Sequence, residues 1–287
     1  MPERISMLLL FGCWIAALTW QFAVVVWPVL LSGDPPGPGI SLSDETTASA
    51  SVRYRLFRDG QEVALGRLQF IYQPETDTFA STLELVQIPP KQNPRIDGRK
   101  TLWLPARSSL EINRQGAPQA ASAIATLPGG TVALDLARYG GLMRGVREVT
   151  LRNDLMGIST IPKQSLEVPM GVDTPVLGLL HPAWRWNGLR ANQSWTALLL
   201  DPLADALQTT GTHTGQGMAC KVAPTAELPP GCSDKSPPCW RIDATREELR
   251  LTIWVTQTNG KVLRQKMEAG TGLSREIWEM LREDLQP

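Results

Sequence analysis

The sequence predicts a mainly β domain of antiparallel strands with a few short helices, carried behind one N-terminal transmembrane helix. Three observations predict it. No charged residue occurs from Ile5 to Gly33. Apolar and polar side chains then alternate over Val52 to Ile88, the period-2 pattern of strands with one buried face. Near the other end, Asn259-Gly260 lies between the apolar positions of Leu251–Val255 and Val262–Met267, and Asn-Gly between such runs is a strong hairpin signal.

The first segment, residues 1–33, reads as an uncleaved anchor. Met7 to Leu31 is nearly all apolar, and 25 residues of helix span roughly 37 Å, enough for a hydrocarbon core of ~30 Å. A cleaved signal would have a shorter apolar core and a small-residue site after it, whereas Leu30-Leu31-Ser32-Gly33 is a poor one. Leu10-Phe11-Gly12-Cys13 faintly resembles a lipobox, but the apolar run continues well past Cys13. Arg4 precedes the helix and no basic residue follows it until Arg53. That bias puts the bulk of the chain outside, so the expected location is the inner membrane, single-pass, with the domain in the periplasm. Trp14, Trp20 and Trp27 suit interface or packing roles. Gln21 is either a contact to a partner helix or a tolerated polar residue.

Asp-Pro-Pro-Gly-Pro-Gly at 34–39 and the small polar residues after it make residues 34–50 a semi-rigid linker. The domain then occupies 51–287. Val52, Tyr54 and Leu56 alternate before Asp59-Gly60, and Leu68, Phe70 and Tyr72 alternate after it, which predicts a hairpin. Phe79 to Ile88 adds a third strand. Lys91 to Gly98 is a polar loop, with short strands expected at Thr101–Leu104 and Ser109–Asn113. Three short helices are expected. Val132–Tyr139 would stop at Gly140-Gly141. Val176–Leu180 would open on Asp173-Thr174-Pro175 and end at Pro182. A C-terminal amphipathic helix capped by Ser274 would place Ile277, Leu281 and Leu285 on one stripe.

Composition narrows the function. The chain of 287 residues carries 28 basic and 28 acidic side chains, which argues against a nucleic-acid partner. Two histidines leave little scope for general-base or metal chemistry. No nucleophile elbow, zinc-protease motif or phosphate loop is present, so the chain is expected not to be an enzyme and to need no cofactor. The alternative is a hydrolase built around His181, which adjoins Pro182 and lies near Trp184 and Trp186; a histidine simply ending a helix explains it as well. Trp184, Trp186, Trp195 and Trp254, with Trp240, concentrate aromatic area in the second half. They are core, or Trp184, Trp186, Trp195 and Trp254 line a concavity for an apolar ligand.

Cys220, Cys232 and Cys239 flank a proline-rich loop, and in an exported domain close cysteines read as disulfides. Cys220–Cys239 is the favoured pair, because both residues sit on strands entering and leaving the loop. Cys232–Cys239 is the alternative. A zinc site of the three thiolates with His213 satisfies the ligand count but lacks a C-x2-C spacing, so no metal is expected.

The C-terminal half carries a resemblance. Gly-Leu-Arg-Ala-Asn-Gln-Ser-Trp at 188–195 leads into Leu-Asp-Pro-Leu at 200–203. Cys-Trp-Arg-Ile at 239–242, Ile-Trp-Val at 253–255 and Gly-Lys-Val-Leu-Arg-Gln at 260–265 follow. This order, over about residues 140–270, resembles extracytoplasmic bacterial relatives of the LolA/LolB lipoprotein-carrier superfamily. The resemblance implies a curved antiparallel sheet, a half-barrel, around a helical plug that often holds a lipid or acyl chain. The Lol carriers themselves are soluble or lipid-anchored, so the apolar segment departs from them; together with that segment the expectation is a membrane-tethered binding or scaffold protein whose partner is a lipid or other apolar molecule. The tether also suits a second role, as accessory subunit of an envelope transporter or secretion complex. No ligand-contact residue follows from the resemblance, because the shared pattern marks strands and turns.

Overall fold

The computed structural model describes residues 13–15, 17, 19–20, 51–88, 105–113, 117–127, 129–153, 157–170, 176–178, 186, 188–207, 215, 217–230, 237–269 and 276–283. The described residues of the N-terminal segment are helical, with Trp14 and Trp20 largely exposed. Among the described residues no helix is long and apolar enough to cross a membrane, and most of the expected anchor, with Gln21 and Trp27, lies outside them.

One mainly antiparallel, curved sheet makes the domain. Its first eight strands are β1 (Val52–Arg58), β2 (Gln61–Gln73), β3 (Thr78–Gln87), β4 (Ala106–Asn113), β5 (Pro118–Leu127), β6 (Gly130–Tyr139), β7 (Leu142–Asn153) and β8 (Gly157–Pro169). The rest are β9 (Val176–Leu177), β10 (Ser194–Leu199), β11 (Gly217–Val222), β12 (Cys239–Arg246), β13 (Leu249–Thr256), β14 (Val262–Ala269) and β15 (Glu276–Arg282). One helix, α1 (Pro202–Leu207), follows β10. The spatial order runs from β8 down to β1, then from β15 down to β9. Two meanders are therefore joined where the first strand pairs with the last, as in Leu56 opposite Met280. Among the described strands only the two-residue β9 runs parallel to its neighbour.

Local chemistry explains the turns. Asp59 and Gly60 both take positive φ, 49° and 77°, as a two-residue turn between Arg58 and Gln61 requires. Register shifts at Leu56/Phe57, Glu111/Ile112, Arg147/Val149 and Trp254/Val255 bend the strands that carry them. The bent sheet wraps one face around a continuous apolar core drawn from both meanders, including Tyr54, Leu83, Leu134, Trp195, Ile253 and Met280.

α1 closes part of that concavity. It leaves β10 at one end of the sheet yet packs on β4, β5 and β6 of the other meander. Asp201 Oδ1 accepts from the Leu203 amide at 3.0 Å, and Pro202 fills the first turn, a capped start. Leu203 and Ala206 are buried, and Arg147 Nε of β7 donates to the Ala206 carbonyl at 2.7 Å. Burial without a carboxylate lowers the Arg147 pKa from its ordinary value.

All three expected helices are corrected. Val132–Tyr139 lies within β6, where Val132, Leu134 and Leu136 are buried at period 2 and Gly140-Gly141 forms the turn into β7. Val176–Leu177 is β9; residues 179–182 are outside the described set. The C-terminal segment is β15, whose inward side chains are Trp278, Met280 and Arg282 rather than the stripe of Ile277 and Leu281. A strand wins there because β1 and β14 offer it hydrogen-bonding edges on both sides. Ser109–Asn113 falls in β4 as expected, while Thr101–Leu104 lies outside the described residues.

Candidate functional site

The indoles of Trp186 and Trp195 meet inside the concave core, with ring centroids 5.7 Å apart and planes tilted by 42°. Trp195 reaches it from β10, in phase with the buried Ala197 and Leu199 and opposite Cys220 of β11. Trp186 is held by its backbone, whose amide donates to the Gly260 carbonyl at 2.9 Å. That bond ties the chain beyond β9 to the β13–β14 turn. Gln265 Nε2 makes a second tie, donating to the Gly178 carbonyl at 2.7 Å.

Trp195 is only 7% exposed, yet its Nε1 donor is buried with no hydrogen-bond partner among the described residues. Buried indole N–H groups usually find an acceptor, and leaving one unmet costs roughly 1–3 kcal/mol. Its neighbour Cys220 offers no reactive group, since burial pushes the thiol pKa up to about 12 and keeps it protonated. Two aromatic faces, an apolar surround and one donor offer apolar contact and a single hydrogen bond, and the one thiol beside them is protonated.

Trp254 lies on the opposite face. Its Nε1 donates to Glu227 Oε1 at 3.0 Å, and the Arg264 guanidinium stands over its ring at 5.4 Å from the centroid. Glu227 also accepts from Arg241 Nη1 at 3.1 and 3.2 Å. Arg241 Nε reaches Asp243 at 3.0 Å, which helps raise its pKa against the opposing effect of burial. Arg264 bonds Glu279 at 2.7 Å and donates to the Pro230 carbonyl. This network pins the 223–230 segment onto the outer face of β12–β14. The network had no local signature, because Glu227 is 14 and 27 residues from its two partners.

Of the four tryptophans expected to line one site, the structure therefore brings Trp186 and Trp195 together and sets Trp254 apart. Trp184, His181, His213 and Cys232 lie outside the described residues.

The Cys220–Cys239 disulfide is a correction. Cys220 is an unbridged thiol in the concave core, aligned with Ala244 of β12. Cys239 sits five residues along the same strand, about 17 Å away at 3.4 Å per residue. Its side chain packs on the other face with Trp254 and Leu263. A disulfide needs Cα atoms within ~7 Å. Among the described residues no group of three His, Cys, Asp or Glu side chains is placed to hold a metal ion.

No known family model matches the chain, and no curated protein matches it.

Proposed function

We propose that this protein is a non-enzymatic binding protein, tethered to the inner membrane by its N-terminal apolar segment, that takes an apolar molecule bearing one hydrogen-bond acceptor on the concave side of its sheet. The observation that carries the reading is the unmet Nε1–H of Trp195 beside the Trp186 ring. A carbonyl or carboxylate oxygen of a lipid-like ligand would satisfy that donor, while its hydrocarbon part lies against the apolar surface. The resemblance to lipoprotein carriers supports the same class of ligand. The anchor makes this chain a stationary receiver rather than a shuttle.

Two experiments test it. Alkaline carbonate washing of membranes should leave the full chain in the pellet; release would remove the tether. Organic extraction of the purified full chain, followed by mass spectrometry, should recover an acyl-bearing molecule near one per chain. Recovery of none would remove the ligand.

A further inference from the structure

The curved sheet brings its two ends together without joining them by a hydrogen-bond ladder. Every neighbouring pair of strands from β8 round to β9 shares such a ladder. At the far end, the Leu200 amide donates to the Leu177 carbonyl of β9 at 2.9 Å, and the Gly215 amide to the Leu199 carbonyl of β10 at 2.8 Å. β9, the end of β10 and Gly215 are thereby one unit. Val168 of β8 lies against it. A Cβ at Gly215, whose φ is 88°, would stand 2.5 Å from Val168 Cγ1 and 3.5 Å from Val168 Cβ. Val168, Leu177 and Leu199 are all buried in the shared core. Among the described residues, however, no backbone hydrogen bond crosses from β8 to β9 or β10, and β8 makes no extended contact with either. The other tie near this seam is a side chain, Arg147 Nε of β7 donating to the Ala206 carbonyl of α1 at 2.7 Å. The sequence of β8 suits an edge that stays open. Pro162, within the register shift against β7, and Pro169 supply no amide donor, and proline in sheets is kept to edges and bulges.

We propose that this seam is the lateral route by which the acyl-bearing ligand reaches Trp195: β8 parts from the β9–β10 unit while the ladder around the rest of the sheet stays intact. Two observations favour the seam over any other junction. Opening elsewhere breaks a row of backbone hydrogen bonds, whereas opening here separates the Val168–Gly215 contact and the Arg147–Ala206 bond. Trp195 also sits on a strand that borders it. β9 pairs only with Leu198 and Leu199, so among the described strands Ser194–Ala197 of β10 has no neighbour on that side. The route rests on the concave ligand proposed above.

The test closes the seam with a disulfide in the full chain. Val168→Cys removes the γ-methyl that a Gly215→Cys side chain would meet, and the 3.5 Å Cβ separation lies in the range that a disulfide spans. Uptake of perdeuterated palmitic acid from neutral detergent micelles is followed by native mass spectrometry, before and after reduction of the same protein, with the bridge verified by peptide mapping. The oxidised form should take up the probe at least roughly tenfold more slowly than the reduced form, because the bridge removes the minor open state that admits it. Equal uptake in the two forms overturns the route alone. No uptake in the reduced form overturns the route together with the concave ligand. Absence of the bridge in folded, oxidised protein overturns the closed seam. A second variant keeps the test independent of Gly215: Arg147→Gln should speed uptake severalfold, while Arg241→Gln, which breaks an arginine network on the outer face, should not. Unchanged uptake in Arg147→Gln, or equal acceleration in both, also overturns the route.

Discussion

Gln265 of β14 donates its side-chain amide to the carbonyl of Gly178, the residue after β9, at 2.7 Å. β14 and β9 are five positions apart in the sheet order, so the bond marks how tightly the C-terminal meander curls. Gln265 is buried, and its neighbours on the inner face are apolar. Gln265→Met keeps the volume and strands the Gly178 carbonyl. It should cost about 1–3 kcal/mol, the penalty of a buried unmet polar group, read as a lower urea midpoint with an unchanged slope.

Gly145 of β7 is required by the neighbouring backbone rather than by its own φ. A Cβ there would collide with the Asp135 carbonyl on β6. Gly145→Ala should therefore destabilise by about 3 kcal/mol, the upper end of overpacking costs, whereas Gly141→Ala, where a Cβ meets only the Met170 carbonyl at 3.8 Å, should be near neutral. Paired thermal melts check both.

Cys220 supplies a pH signature. Its folded pKa, about 12, lies above that of an unfolded cysteine, ~8.5. The folded state then holds a proton that the unfolded chain gives up, so this contribution to stability is intact below the unfolded pKa and is lost as pH rises toward the folded one. Cys220→Ala should flatten the fall in stability between about pH 8.5 and 12, and in native wild-type protein Cys220 should resist alkylation at pH 8. Peptide mapping after iodoacetamide treatment reads the second outcome.

The strand content was legible because period-2 alternation and turn residues are local. Asp59-Gly60 and Asn259-Gly260 fall at hairpin ends as their sequences predict. The three misread helices were short, and each was inferred from a glycine, a proline or a cap. Val132, Leu134 and Leu136 carried the strand period plainly, but Gly140-Gly141 reads equally as a helix stop or a hairpin turn. The pairing of β1 with β15 had no local sign, since its partners lie more than 200 residues apart. The separation of Trp254 from Trp195 was legible in principle. Leu251, Ile253 and Val255 set the inward phase of β13, and Trp254 is out of phase with them.

The measurement closest to the central claim is native mass spectrometry of the full chain released from detergent, comparing wild type with Trp195→Phe and Trp254→Phe. Trp195→Phe removes the unmet donor but keeps an aromatic face toward Trp186, and Trp254→Phe makes the same change on the outer face. The account predicts a bound acyl-bearing molecule on wild type and on Trp254→Phe, with occupancy sharply reduced in Trp195→Phe. A bare wild-type mass, or equal occupancy in all three chains, would contradict it.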